Sequence, residues 1–206
     1  MLSKNSRGLI EDLTKAGQLF DYGVMENRME IKFQQFEPSE IDLLINFLTS
    51  DTWPFHVFER PEPEKIRENF DKGLYANEDN RTFWILSDGD ERIGMIRLFD
   101  LTMHSPMFDL RIKSPYRRKG LGEKVLRWLA EYVFTTWPEK TRLDGETRRD
   151  NIAMRTLFRK CGFLKEAHYR KAWPDQNGNV YDSVGYGLLK EDWEQNKVTV
   201  VDWDGE

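Results

Sequence analysis

The sequence predicts an α+β domain on a mixed sheet, and three observations carry that reading. Apolar periodicity switches between strand and helix spacing in the order strand, two helices, three strands, helix, strand, helix, two strands. Asp88-Gly89 and Asn177-Gly178 each sit between alternating segments, which predicts two antiparallel hairpins. Finally, one strand runs directly into a basic, glycine-rich turn that opens an amphipathic helix.

Met29 to Glu37 alternates Met29, Ile31 and Phe33 with Glu30, Lys32 and Gln34, the mark of a half-buried strand. Pro38-Ser39 opens a helix carrying Ile41, Leu44, Ile45 and Leu48 at helical spacing. A loop with Trp53, Pro54, Phe55, His56 and Phe58 leads to a more polar helix from about Glu62 to Lys72. Strands follow at Thr82–Ser87, Arg92–Phe99 and Met107–Ile112. The next helix places Leu121, Val125, Trp128, Leu129, Tyr132 and Val133 on one face, and Pro138 ends it. Arg142–Thr147 reads as a short strand and Asn151–Cys161 as a short helix, with Gly162 at the position of a left-handed cap. Phe163–Trp173 and Tyr181–Leu189 complete the sheet. Residues 1–28 read as a weakly amphipathic helical extension, 29–190 as the domain, and 191–206 as a polar tail whose Val198–Val201 run either adds an edge strand or stays loose.

Composition narrows the function classes. With 206 residues, 39% hydrophobic and 33% charged, the chain reads as soluble and globular. No apolar run nears the roughly 20 residues of a membrane span, and residues 1–28 lack the apolar core of a secretion signal. One cysteine, Cys161, forbids an internal disulfide and fits a reducing, cytoplasmic setting. Together with only three scattered histidines it argues against a metal centre. The net charge of −5 argues against a long nucleic-acid track, since the basic patch is local.

That patch is the most informative segment. Between Arg111 and Arg127 lie seven basic residues and one acidic one, Glu123, and within them runs Arg117-Arg118-Lys119-Gly120-Leu121-Gly122. Glycines let backbone N–H groups approach a ligand closely, and a helix starting there adds its unpaired N–H groups and positive dipole end. Such a turn suits a diphosphate; it also suits a plain basic surface turn. The dinucleotide pattern fails because Val125 stands where a third glycine belongs, and the ATP-type loop fails for want of Gly-Lys-Ser/Thr.

Two motifs together resemble the GNAT family of N-acetyltransferases. Arg117, Gly120 and Gly122 match its Arg/Gln-x-x-Gly-x-Gly/Ala signature, and Pro115-Tyr116 precedes them. Asn151, Ala153, Gly162 and Phe163 follow its second signature, with the alanine one place early. The final segments, Gly162 to Ala167 and Tyr181 to Leu189, resemble the branch acting on ribosomal-protein N-termini and its polyamine- and antibiotic-acetylating relatives. The resemblance implies a mostly antiparallel sheet flanked by helices and acetyl-CoA as co-substrate, with no metal. It implies that the turn from Lys119 through Gly120 and Leu121 to Gly122 holds the diphosphate, with charge from Arg117, Arg118 and Lys119. Backbone groups of Leu110 and Ile112 would pair with the pantetheine arm in a splay between two strands, and Asn151 would hydrogen-bond it. Asn151 is equally a good helix N-cap.

Acetylating an amine requires removing its proton, stabilising an oxyanion and releasing a thiolate. Glu146-Thr-Arg-Arg-Asp-Asn151 resembles the ribosomal branch's Glu-Val-Arg-x-x-Asn, which implies Glu146 as general base, with Asp144 on the same strand face. The alternative for Glu146 is a surface strand residue paired with Arg148 or Arg111. The tyrosine acid of that branch is replaced by Phe158, with Tyr169, Tyr181 and Tyr186 as unranked substitutes. Cys161 reads as a buried helix-end residue. Trp53, Phe55 and His56 beside carboxylates suit a cationic acceptor or merely core packing, and Asp182 is a weaker acceptor candidate. The expectation is transfer of acetyl from acetyl-CoA to a primary amine (a protein N-terminus, polyamine or aminoglycoside), without nucleic-acid or membrane partners. A homodimer and a non-catalytic acyl-CoA sensor on the same fold stay open.

Overall fold

The computed structural model describes residues 29–203, so the expected N-terminal helical extension lies outside the described residues. Seven strands form one sheet: β1 (Ile31–Gln35), β2 (Arg81–Ser87), β3 (Arg92–Phe99), β4 (Met107–Ile112), β5 (Arg142–Arg148), β6 (Leu164–Pro174) and β7 (Val180–Leu189). Their order is β1-β2-β3-β4-β5-β7-β6, antiparallel except for β4 and β5. The helices are α1 (Ile41–Thr49), α2 (Pro63–Asp71), α3 (Leu121–Thr136), α4 (Ile152–Lys160) and α5 (Lys190–Gln195). The mixed, mostly antiparallel sheet with flanking helices is the architecture the sequence predicts.

Two cores sit on opposite sheet faces, as strand alternation requires. On one face α1 and α2 bury Leu44, Phe47, Leu48 and Ile66 against Trp84, Leu86 and Met95. On the other, α3 buries Leu121, Val125, Leu126, Leu129, Ala130, Val133 and Phe134. They meet Phe83, Ile85, Ile96, Leu143 and Val184. At roughly 1.5–3 kcal/mol per large apolar side chain, that face contributes on the order of 10 kcal/mol before the entropy of ordering is charged against it.

Local details differ from the sequence reading. Pro38–Glu40 is a 3-10 turn leading into α1. In the β2–β3 hairpin the left-handed residue is Asp90 (φ 58°), one place beyond Gly89. Val198–Val201 forms no strand: α5 ends at left-handed Asn196, and Thr199 bonds through its N–H and hydroxyl to Asp192. Of the two readings open for this run the edge strand is not formed, and the segment is tied instead to the first turn of the short α5.

Candidate active site

The sheet parts between β4 and β5. These parallel strands share one paired position, Met107 with Asp144, before diverging. Their outer sides stay in register, β4 with β3 and β5 with β7. The Lys113 N–H donates to the Ile93 carbonyl, which fixes the parity of the β3–β4 ladder: odd β4 residues bond β3, and Leu110 and Ile112 turn their backbone groups into the splay. By the same parity, set by Lys190 N–H to Thr141 carbonyl, the backbone of Glu146 faces the splay from β5. The opening is therefore lined by peptide groups without a strand partner, as a pseudo-strand requires.

From β4 the chain passes a 3-10 turn at Ser114–Tyr116 into the basic turn. Arg118 (φ 60°) and Gly120 (φ 77°) are both left-handed around Lys119, an alternation that curls successive N–H groups into a concave nest at the start of α3. A Cβ built on Gly120 would meet nothing within 4 Å, so the outer side is open. Arg118 and Lys119 are exposed, and neither has an ion pair among the described residues; Lys119 lies over the Tyr116 ring. A nest, a helix N-terminus and two free cations fit the diphosphate of a coenzyme A ester, and the splay fits its arm.

Not every residue of the motif points that way. Leu121 is buried and offers only its backbone. Gly122 answers to packing: a Cβ there would lie 2.8 Å from Leu157 of α4. The Arg117 guanidinium turns from the nest, donating from Nε to the Ile112 carbonyl (2.7 Å) and from a terminal nitrogen to the Thr52 carbonyl (2.6 Å). Asn151 caps α4, accepting from the Met154 N–H while its Nδ2 donates to the Thr147 hydroxyl.

Glu146 lies half-buried on β5 without a hydrogen bond or ion pair among the described residues, so neither Arg148 nor Arg111 pairs with it. Asp144, on the same face, is bound to Arg142. Burial pushes the Asp144 carboxyl up, Arg142 pulls it down and Glu166 pushes it up again, leaving it above its ordinary value. Phe158 is fully buried on the opposite side of β5, stacked on Tyr186 at 4.5 Å. Gly145 is obligatory there, because a Cβ would lie 2.5 Å from the Phe158 ring. Of the substitute acids, the Tyr186 hydroxyl meets Arg155, the Tyr181 hydroxyl meets Asp175, and Tyr169 is exposed on β6. Cys161 is buried, which pushes its thiol up to about 11 and makes it inert as a nucleophile.

The loop after α1 roofs this face. Trp53 is 2% exposed: its indole N–H donates to the Leu48 carbonyl and its ring packs on Phe47, so it belongs to the core and not to a cleft wall. Phe55 lies under the Arg148 guanidinium, which also sits 3.4 Å over the Tyr181 ring and bonds the Pro54 carbonyl and Asp150. His56 Nε2 meets Asp109 Oδ1 at 2.9 Å, and Arg111 binds the other oxygen. Burial works against the Asp109 carboxylate, but the charges of Arg111, His56 and Arg97 and the His56 hydrogen bond outweigh it and hold the pKa well below the usual value. A cavity of about 250 Å³ lies between this loop and the β6–β7 hairpin, lined by His56, Glu59, Arg148, Asp175 and Tyr181 among others.

Asp182 is placed elsewhere. Register pairs Glu146 with Gly185, so Tyr181 shares the cleft face while Asp182 points to the other side, bonded to His168 and the Lys171 N–H. Sequence reasoning did not single out Asp51 or Asp109, and it named Arg111 and Arg148 only as possible partners of Glu146. The available signal was the polar set Asp109 and Arg111 alternating with Phe108, Leu110 and Ile112, which marks a β4 face that is not core. Among the described residues no group of three or more His, Cys, Asp or Glu side chains could hold a metal ion, and no helix is long and apolar enough to cross a membrane.

Comparisons with known proteins agree with this geometry. No curated protein sequence matches the chain. Mutant forms of the spermidine/spermine N-acetyltransferase SpeG from Vibrio cholerae superpose with a TM-score of 0.65 at 19% identity, covering 81% of this chain and 99% of theirs. The spermidine N-acetyltransferase from Vibrio cholerae in complex with CoA and spermine gives 0.66 at 18%, covering 80% and 98%. A probable acetyltransferase gives 0.66 at 25%, covering 79% and 94%. A sequence profile described as the acetyltransferase (GNAT) family matches residues 45–163. The chain belongs to that family and is an acetyl-CoA-dependent N-acetyltransferase.

Proposed function

We propose that this chain acetylates a primary amine held on the α1–α2 face of the splay, with Glu146 as the proton acceptor. The observation that carries the reading is the single paired position between β4 and β5, which leaves Leu110, Ile112 and Glu146 facing one opening that leads to the Gly120 nest. The Lys119–Gly122 backbone with Arg118 and Lys119 holds the diphosphate, and Leu110 and Ile112 hold the arm. Bound there, acetyl-CoA supplies the activated acetyl group. Glu146 removes the ammonium proton so that the lone pair can attack, a task for a carboxylate not committed to an ion pair. Asp144 is committed to Arg142 and serves the sheet. Asn151 orients α4 through its cap, and its carbonyl faces the Met154 N–H. Phe158 can donate no proton, so the thiolate leaves without help from that position.

The acceptor side favours a cation. Glu59 and Asp175 line the cavity, and Arg148, the arginine among its described lining residues, is neutralised by Asp150. The solved structures that resemble this chain include a complex with spermine, and one is described as dodecameric. We read the acceptor as a small aliphatic amine or polyamine and expect self-association, ahead of a protein N-terminus. The ribosomal branch gains no separate support, since Phe158 departs from its pattern and the structural neighbours include polyamine enzymes.

The test is Glu146→Gln, assayed for acetylation of a panel of diamines and polyamines and titrated calorimetrically with acetyl-CoA. We expect turnover to fall about 100-fold or more, with coenzyme affinity unchanged. Full turnover in the variant removes Glu146 from the mechanism.

A further inference from the structure

We propose that Arg117 is a positioning residue: it staples the acceptor loop to the coenzyme turn, so that ligand at the turn tightens the loop. The inference rests on the reading of residues 118–122 as the coenzyme site and gives the first residue of that motif a different task. Its guanidinium is spent before any anion arrives. Nε and a terminal nitrogen bridge two carbonyls, Ile112 at the end of β4 and Thr52 in the loop. The same guanidinium lies over the Trp53 ring at 5.4 Å, and its terminal nitrogen is 3.8 Å from Asp51. Asp51 in turn accepts from the N–H and hydroxyl of Ser114, at the start of the coenzyme turn.

The loop therefore hangs from the turn by two adjacent ties, Asp51 to Ser114 and Thr52 to Arg117. Beyond them it is tied to the floor of the cleft, by His56 to Asp109, and to the far hairpin, by the Gln176 N–H to the Val57 carbonyl. Fixing Ile112–Arg117 by a ligand on the nest narrows what Thr52 can do, and Thr52 is four residues from His56. Linkage makes the effect reciprocal: a loop ordered by an acceptor raises coenzyme affinity. A lysine cannot substitute, because one ammonium lacks the planar fork that reaches two carbonyls while lying flat on an indole.

Hydrogen exchange of the full chain with and without free CoA, beside CoA calorimetry, tests this. In the wild type CoA should slow exchange in residues 113–122 and also in 52–57. In Arg117→Lys and Arg117→Gln alike, CoA should still bind within about threefold and protect 113–122, while protection of 52–57 is lost. Arg118→Gln should do the reverse, weakening CoA but passing protection to 52–57 whenever CoA is saturating. Asp51→Asn, which keeps the side chain's size, should reduce protection of 52–57 without removing any expected ligand contact. The proposal is overturned if Arg117→Lys keeps the coupling, if Arg117→Gln costs tenfold or more in CoA affinity that lysine restores, or if 52–57 never respond to CoA in the wild type. Absence of CoA protection at 113–122 in the wild type would instead sink the coenzyme site itself.

Discussion

Asp109 shows how much one side chain can hold. Its two oxygens tie the acceptor loop through His56 and the β4 face through Arg111. The folded carboxyl is held well below its unfolded value, so its contribution is fully present above the ordinary carboxylate range and is lost as pH falls through the depressed value. Asp109→Asn should therefore cost about 2 kcal/mol near neutrality and progressively less in acid, read as urea midpoints across pH. An equal loss at every pH would mean the carboxylate's charge is irrelevant. Gly145 makes the opposite case, a residue valued for what it lacks. Gly145→Ala should cost about 1–3 kcal/mol in denaturant unfolding, because Phe158 is walled in by Phe108, Phe163 and Tyr186 and cannot retreat. The cap at Asn151 was legible in a single residue. The ties of Arg117 to Thr52 and of His56 to Asp109 were not, because they join segments more than 50 residues apart.

At the scale of elements, periodicity and turn chemistry carry nearly everything. The strands alternate as the sequence does, the amphipathic face of α3 is the one it buries, and Asn177-Gly178 makes its hairpin with Gly178 left-handed. Two things escaped. The α5 segment is too short to show a period. The face of Asp182 depends on the register of β7, and bulges between Lys165 and Ala167 and between Tyr169 and Trp173 hide the alternation of its partner β6. The parting of β4 from β5 was expected through the family resemblance alone, since it leaves no pattern in either strand: both stay fully laddered on their other sides. The nest at the head of α3 supports a sharp prediction. Gly120→Glu sets a carboxylate beside the nest and forces a left-handed φ on a residue with a Cβ, which costs about 1–2 kcal/mol of stability. CoA affinity should drop by about 100-fold or more in calorimetry, whereas Gly120→Ala, which meets no atom, should lose stability alone.

The whole molecule carries a net charge of −5, while seven of its 31 basic residues gather between Arg111 and Arg127. On the proposed reading the coenzyme, an anion, is drawn to the nest and the splay, and the acceptor, a cation, to the α1–α2 side of that splay. Added salt should accordingly lower kcat/KM for a polycationic amine more than for a monoamine, because the wider field acts on the whole charge of the ligand. Identical salt slopes for the two would show that the acidic surface steers nothing. The described residues of the two cores lie between Met29 and Trp193, and a chain starting at Met29 should fold and bind CoA with unchanged affinity.

The cavity beneath the Pro54–Val57 roof has a consequence for selection by shape. About 250 Å³ equals roughly eight waters, the scale of a thin chain of about a dozen atoms. On the proposed reading an amine seated there would come end first, one terminus toward the splay and the other near Glu59. Such a site would work as a ruler: it would read a substrate by the distance between its two charges, and a diamine too short to span it would forfeit the outer contact however well its inner end is held.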